Sequence, residues 1–231
     1  MNFKQHPETR IQKLRIGKEK LPLLVIDNLL SQPDYLVELA CKTNFSVNSP
    51  YYPGVRADAP SQYKQFILEE LAETLIEFFK LKTSQLTFSF CQFSMVTTPP
   101  NDLHLLQRIP HFDSLDKNGL AAVHYLFKTD LGGTSFYRHR DTQFESIDDE
   151  RRAAYFDSMK KNGSTNLPPA EYINGDTALY ERIVEQQGIY NRIIIYPRNI
   201  LHSGSIPKDF IPDHNPLTGR LSINSFIDPI N

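Results

Sequence analysis

His111-Phe112-Asp113 sets an imidazole and a carboxylate two residues apart. In an extended chain residues i and i+2 point to the same side, so both side chains can reach one metal ion. The spacing alone is weak. A chain with these numbers of His and Asp carries about 0.5 such triplets by chance, and His139-Arg140-Asp141 is a second one. One more imidazole from a distant strand end would complete a facial triad of two His and one carboxylate. That arrangement leaves positions open on an octahedral metal, as non-haem Fe(II) oxygenase chemistry requires for a chelating substrate and O2. His202 qualifies, in Leu201-His202-Ser203-Gly204 after the apolar run Ile193-Ile194-Ile195-Tyr196. His139-Arg140-Asp141 lies in a charged segment and is the lesser candidate. His104 and His124 stand alone, and a lone His is more often a hydrogen-bonded structural residue.

A second constellation lies downstream. In Arg220-Leu221-Ser222-Ile223-Asn224-Ser225-Phe226, the residues Leu221, Ile223, Ser225 and Ile227 fall on one strand face. Arg220, Ser222, Asn224 and Phe226 fall on the other. An Arg and a Ser on one face can clamp a carboxylate, by a bidentate fork and a hydroxyl. Near the N-terminus, Tyr51-Tyr52-Pro53-Gly54-Val55-Arg56 is expected as a loop around a Pro-Gly turn. There Tyr52 and Arg56 could stack on and charge-pair with an acidic substrate such as a free or peptidyl amino acid. The plainer reading is a surface loop whose tyrosines pack on the fold.

These residues need a frame. Residues 21–30 form a short buried strand, followed by a helix capped by Ser31 with Leu36, Val37, Leu39 and Ala40 on its apolar side. A second helix starts at Ser61. Its Ile67, Leu71, Leu75 and Phe79 recur every fourth residue, a stripe that should cover the outside of a large sheet. From Leu86 the period falls to two. Strands are predicted from Leu86, at Ala121 to Lys128, Thr134 to Tyr137, Arg192 to Tyr196 and Leu221 to Ile227. The stretch 138–189 interrupts them as a charged lid or rim, helical around Asp148 to Lys161 and Asp176 to Gln187. The fold class is α+β, mainly β, in one domain over 1–231. Residues 1–85 serve as helical support and 86–231 as the β core.

Composition excludes other classes. The net charge of -2 gives no sign of a nucleic-acid or membrane partner. The apolar runs are far shorter than a bilayer span. Two cysteines, Cys41 and Cys91, are too few for a disulfide framework, which makes the cytoplasm the expected compartment. Nothing in the sequence speaks to oligomeric state.

Taken in order, the pieces resemble those of 2-oxoglutarate- and Fe(II)-dependent dioxygenases, close in pattern to the prolyl-hydroxylase-like branch. They are His111-x-Asp113, a strand with Tyr125, Gly132-Gly133-Thr134-Ser135-Phe136, Tyr190 to Pro197, Leu201-His202-Ser203-Gly204, and Gly219-Arg220-Leu221-Ser222. The resemblance implies a double-stranded β-helix, or jelly-roll, with the N-terminal helices on its major sheet. It implies that His111, Asp113 and His202 hold Fe(II). Arg220 would bind the distal carboxylate of the co-substrate 2-oxoglutarate, helped by Ser222 or Tyr125. With O2, the co-substrate would be converted to succinate and CO2 while an unactivated C–H bond is hydroxylated in a small molecule or an amino-acid or peptidyl substrate. Asp113 argues against halogenation, since related halogenases replace this carboxylate with a small residue. The alternatives are a non-catalytic, cupin-like metal-binding or sensing jelly-roll, and a cupin-type enzyme, which normally uses more His ligands and no 2-oxoglutarate clamp.

Overall fold

The computed structural model describes residues 2–47, 49–163 and 165–230. Ten strands and three α-helices follow in the order β1 (Arg10–Ile16), β2 (Leu21–Asp27), α1 (Asp34–Cys41), β3 (Gly54–Asp58), α2 (Ser61–Phe79), β4 (Leu86–Val96), β5 (Leu120–Tyr125), β6 (Gly133–His139), α3 (Asp149–Gly163), β7 (Tyr180–Gln187), β8 (Ile193–Pro197), β9 (His202–Ser205) and β10 (Leu221–Pro229). A seven-stranded sheet runs β1-β2-β8-β5-β10-β4-β3, and a three-stranded sheet runs β7-β6-β9. All pairings are antiparallel. The two sheets form the jelly-roll core of a mainly β, α+β protein.

The major sheet is buried on both faces, and its sequence alternates accordingly. On the outer face, Leu221, Ile223 and Ile227 of β10 join Leu24, Ile26, Phe93, Ile193 and Ile195 under α2. Helix α2 presents Tyr63, Phe66, Ile67, Leu71 and Leu75 to that face. Each such buried side chain contributes about 1.5–3 kcal/mol, which fixes α2 as a cover over the sheet. On the inner face, Val25, Ala121, Tyr125, Ile194 and Tyr196 meet Phe136 of β6. The interior of the jelly-roll lies there.

One polar knot pins α2 to the sheet. His124 on β5 is fully buried and faces the helix. Its Nδ1 is 3.2 Å from the Tyr63 hydroxyl and its Nε2 is 3.3 Å from Asn191 Oδ1. Burial pushes the imidazole down to about 4, against the bond to Asn191. The ordinary value is about 6.5. Between these values the unfolded chain binds a proton that the folded one refuses, so stability rises with pH there. Stability is therefore full above about pH 6.5 and falls as pH drops toward 4, by up to about 3 kcal/mol. Urea denaturation at about pH 7 and about pH 4.5 should show a smaller acid loss in His124→Gln than in the parent, by about 2–3 kcal/mol. Equal losses would remove His124 as the cause.

Several expectations are corrected. The stretch Asp176 to Gln187 is not helical: Tyr180–Gln187 is strand β7, paired along β6. Its β-branched Ile183 and Val184 pack on the inner core, while its charged residues face outward at a sheet edge. The excursion between core strands is therefore confined to 140–179, and α3 lies within it. Residues 1–85 give more than helical support, since β1, β2 and β3 belong to the major sheet. Ser31 caps no helix. Its amide donates to Lys4, and α1 begins after Pro33 with no side-chain cap. Among the described residues no helix is long and apolar enough to cross a membrane. Cys41 and Cys91 are both free thiols.

Candidate metal and co-substrate site

His111 and Asp113 sit outside the regular strands, contrary to the strand placement expected for them. His111 pairs once, as an isolated bridge to the first residue of β9. Its amide donates to the His202 carbonyl (2.9 Å), and the His202 amide donates to the His111 carbonyl (2.8 Å). Pro110, with no amide proton to give, precedes the bridge and limits the pairing. Asp113 is held by its own amide, which donates to the Arg198 carbonyl at 2.8 Å. Backbone bonds thus bring the three residues together, leaving their side chains free to converge.

The donor atoms of His111, Asp113 and His202 all lie within 4.8 Å of one another. His111 Nε2 is 3.7 Å from Asp113 Oδ1, and His202 Nε2 is 3.5 Å from Asp113 Oδ2. Donors about 2.1 Å from a shared ion stand roughly 3–4 Å apart, close to these separations. His202 Nδ1 is 2.9 Å from the Ile200 carbonyl, which requires the proton on that nitrogen and leaves the Nε2 lone pair facing the cluster. The ring is wedged between Tyr196 (4.8 Å between centroids) and His111 (4.4 Å). Enclosure of its inner edge, where it meets His202, holds His111 below the ordinary imidazole range although its outer edge is open. His202 and Arg56 act the same way and Asp113 opposes them. Its ring is then neutral near pH 7, with a lone pair available. The Asp113 side chain is 15% exposed and the His111 side chain 52%, so the cluster opens to solvent on the His111 side. The donor set is two imidazole nitrogens and one carboxylate, which fits a divalent ion with open coordination positions.

Arg220 stands farther along the interior. Its Nε donates to the Leu131 carbonyl (2.9 Å) and its Nη2 to the Gly133 carbonyl (2.7 Å). The turn that presents these carbonyls depends on Gly132, at φ +80°, where a Cβ would stand 1.8 Å from the Ser205 carbonyl oxygen. Arg220 is 5% exposed and pairs with no carboxylate among the described residues. The groups against its charge are those two carbonyls and the Phe127 ring, 5.4 Å from the guanidinium, with the phenols of Tyr52, Tyr125 and Tyr172 nearby. A Cβ at Gly204 would be 3.9 Å from Arg220 Nη2. Gly204 is two residues along β9 from His202, on the same side of the strand. That interval is about 6.6 Å, a span that a five-carbon diacid bridges. A buried guanidinium without an anion is costly, so the residues fit a carboxylate-bearing co-substrate.

The register places the remaining predicted residues. Arg56 on β3 opposes Ser94 on β4, Ser94 opposes Ser222 on β10, and Ser222 opposes Tyr125 on β5. These four form one row across the inner face. Tyr125 donates its hydroxyl proton to Thr134 Oγ1 (2.8 Å) and Ser222 donates to Asn224 Oδ1 (2.8 Å). Both line the chamber with their single protons already engaged. Burial pushes Tyr125 up to about 12, so its hydroxyl stays protonated. Tyr52 lies in the bend that leads into β3, whereas Arg56 is not on a loop. Arg56 lies within β3, Tyr51 is 72% exposed, and the Tyr52 hydroxyl is buried with only the Ser94 hydroxyl in reach. The Arg56 guanidinium lies 4.0 Å from the Tyr52 ring centroid.

The competing histidines have structural settings. His139 is buried between the rings of Tyr155 and Tyr180, with Nδ1 on Thr142. Asp141 accepts from Ser158 and Asn162. His104 caps the short 3-10 turn Leu105–Gln107. Residues missed in the sequence are Ser94, Tyr172 and Arg198. Ser94 was legible, since it shares a face with Phe90 and Gln92. Tyr172 lies in an irregular segment with no periodicity, and Arg198 acts on Asp113 through its carbonyl, which any residue supplies.

Comparison with solved structures places the fold. It is similar to that of the non-heme α-ketoglutarate-dependent epimerase SnoN from nogalamycin biosynthesis (TM-score 0.52, 10% identity, covering 93% of this chain and 78% of that one). It is similar to HygX from Streptomyces hygroscopicus, solved with nickel, 2-oxoglutarate and hygromycin B (TM-score 0.51, 11% identity, 91% and 84% covered). It is also similar to EctD from S. alaskensis with bound Fe (TM-score 0.50, 10% identity, 99% and 86% covered). At these identities the likeness is one of fold. No curated protein matches the chain in sequence. Residues 7–227 match the model of DUF6445, described as a family of unknown function, and since that span takes in both sheets, the histidine–carboxylate cluster and Arg220, the chain belongs to that family.

Proposed function

We propose that the chain is a single-domain Fe(II)- and 2-oxoglutarate-dependent oxygenase, allied by its motif order to the prolyl-hydroxylase-like branch. It hydroxylates an unactivated C–H bond of a small molecule or an amino-acid or peptidyl substrate. The observation that supports this most is the pairing of a two-His-one-carboxylate cluster with a buried, acid-free Arg220 one strand repeat away. A scaffold or sensing module needs neither.

In this reading His111, Asp113 and His202 hold the iron. Bound there, Fe(II) would supply O2 activation coupled to conversion of 2-oxoglutarate to succinate and CO2. The protein's own residues do the rest. Ile200 keeps His202 in the tautomer that presents Nε2. Asp113 fills the position that a halogenase would leave to chloride. Arg220 orients the distal carboxylate, itself fixed by Leu131 and Gly133. Val96, Leu103, Tyr172, Ile206 and Phe210 seal that end from water. Tyr52, whose hydroxyl lies near Arg220 with only Ser94 in reach, donates to the same carboxylate, while the protons of Tyr125 and Ser222 are engaged.

The direct test is an anaerobic titration of the protein with Fe(II) and 2-oxoglutarate, watching for the visible charge-transfer band of a chelated keto acid. Succinate release then follows on admission of O2. Absence of both would defeat the proposal. The same titration ranks the tyrosines. Tyr52→Phe should weaken 2-oxoglutarate binding at least about tenfold, the lower end for one hydrogen bond to a charged group. Tyr125→Phe should weaken it less than about twofold, since its bond to Thr134 is internal. Equal losses would return Tyr125 to the co-substrate.

A further inference from the structure

Arg56 has no assigned partner, and resting on the oxygenase reading above, we propose that it is the docking cation for a carboxylate of the prime substrate. The substrate is then an organic acid of the amino-acid class, whether a free amino acid or the C-terminus of a peptide.

Position comes first. Arg56 stands in the row Arg56, Ser94, Ser222, Tyr125, on the inner face and at the edge-strand end of the sheet. It is within electrostatic reach of both Asp113 and His111. An anion held there is therefore beside the metal cluster and on the open side of the chamber. The guanidinium is fixed in advance, lying 4.0 Å from the Tyr52 ring centroid and 5.0 Å from that of Phe90. Such stacking leaves the edge of the fork free for two parallel hydrogen bonds.

Satisfaction comes second. Arg56 Nε is buried with no acceptor. No ion pair or hydrogen bond to its guanidinium exists among the described residues. Arg220 apart, the arginines shielded in this way include Arg138, paired with Glu145, Arg192, paired with Asp27, and Arg198, paired with Asp228. Asp58, two residues along β3, accepts from Gln92 instead. A shielded, preformed and unanswered cation points to a ligand.

Charge gives the class. Two positive charges of ferrous ion and one of Arg220 are balanced by Asp113 and the two carboxylates of 2-oxoglutarate. Arg56 is then the single uncompensated charge in the chamber, and a monoanion neutralises it. A phosphate dianion would exceed that single charge.

The test uses the full chain with Mn(II) kept below the protein concentration and 2-oxoglutarate saturating. Fluorine NMR follows paramagnetic relaxation of four probes: 3-fluoro-L-alanine, its N-acetyl derivative, and the carboxamide of each. One or both acids should relax at least about fivefold more strongly with the parent than with Arg56→Gln, the loss expected for a charge-assisted bond. Arg56→Lys should retain part of the effect, and the amides should show none. The free and acetylated arms separate an amino acid from a peptide C-terminus. The proposal falls if neither acid relaxes, if the amides relax as the acids do, or if relaxation survives Arg56→Gln, which would put the carboxylate on the metal. Thermal unfolding of the two variants within a few degrees of the parent excludes misfolding as the cause. Titration of 2-oxoglutarate in parallel separates the two readings. No binding by the parent sinks the oxygenase assignment itself. Binding that Arg56→Gln weakens as much as Arg220→Gln does makes Arg56 a co-substrate ligand and overturns only the present inference.

Discussion

Alanine at His111, Asp113 or His202 should abolish 2-oxoglutarate turnover and strip the protein of stoichiometric iron while leaving it folded. The last clause follows from how the cluster is built. The bonds that bring the three residues together are main-chain ones: the reciprocal pair between His111 and His202, and the Asp113 amide on the Arg198 carbonyl. Removing a side chain leaves all of them in place. His111 and Asp113 are also partly open to solvent, so truncation there makes little cavity. His202 is the exception, because its ring packs against Tyr196 and Phe136, and His202→Gln is the milder variant. Loss of an outer-shell partner alone typically costs 10–100-fold in metal affinity, so loss of a ligand should cost more than about 100-fold. Metal content after dialysis, succinate release and urea denaturation check the three parts separately. A His111→Ala protein that keeps iron and turns over 2-oxoglutarate like the parent would end the assignment.

What was legible in the sequence divides by position in the sheets. The interior strands β2, β8, β5, β10, β4 and β6 each showed as an apolar run or a clean alternation, because burial constrains their faces. The strands at sheet edges, β1, β3, β7 and β9, did not. Edge strands are short or carry charges on an exposed face, as Lys13 and Arg15 do in β1 and Glu181 and Glu185 in β7. In β7 the charges outweighed Ile183 and Val184 and suggested a helix. In β3 the Pro53-Gly54 pair suggested a loop carrying Arg56, which instead stands in register with Ser94. The residues that the structure brings together, His111, Asp113 and His202, were legible because their chemistry is carried by type and order. Their partners were not. Which hydroxyl has a free proton, Tyr52 or Tyr125, depends on Thr134 standing across the chamber at 2.8 Å, and one-dimensional spacing does not encode that contact.

The second large effect is at Arg220. Arg220→Gln should raise the 2-oxoglutarate requirement about 10- to 150-fold, the equivalent of about 1.5–3 kcal/mol for a lost charge-assisted bond. It should leave iron stoichiometry intact, because Arg220 touches none of the metal-ligand candidates. Two opposing terms act on stability. The parent keeps a cation buried at 5% exposure against two carbonyls and the Phe127 ring, with no carboxylate among the described residues, so a neutral side chain relieves a desolvation cost. The variant in turn gives up charge-assisted bonds to the Leu131 and Gly133 carbonyls, which a glutamine amide replaces only in part. The protein without co-substrate should therefore lose little stability or gain some, whereas saturating 2-oxoglutarate should stabilise the parent far more than the variant. Arg220→Lys keeps the charge and loses the planar fork, so its affinity should fall between the two. Thermal unfolding with and without 2-oxoglutarate measures this as a difference of shifts, independent of turnover. Equal stabilisation of parent and Arg220→Gln would show that the buried guanidinium serves the turn at Gly132 and that the keto diacid, if bound, is held elsewhere.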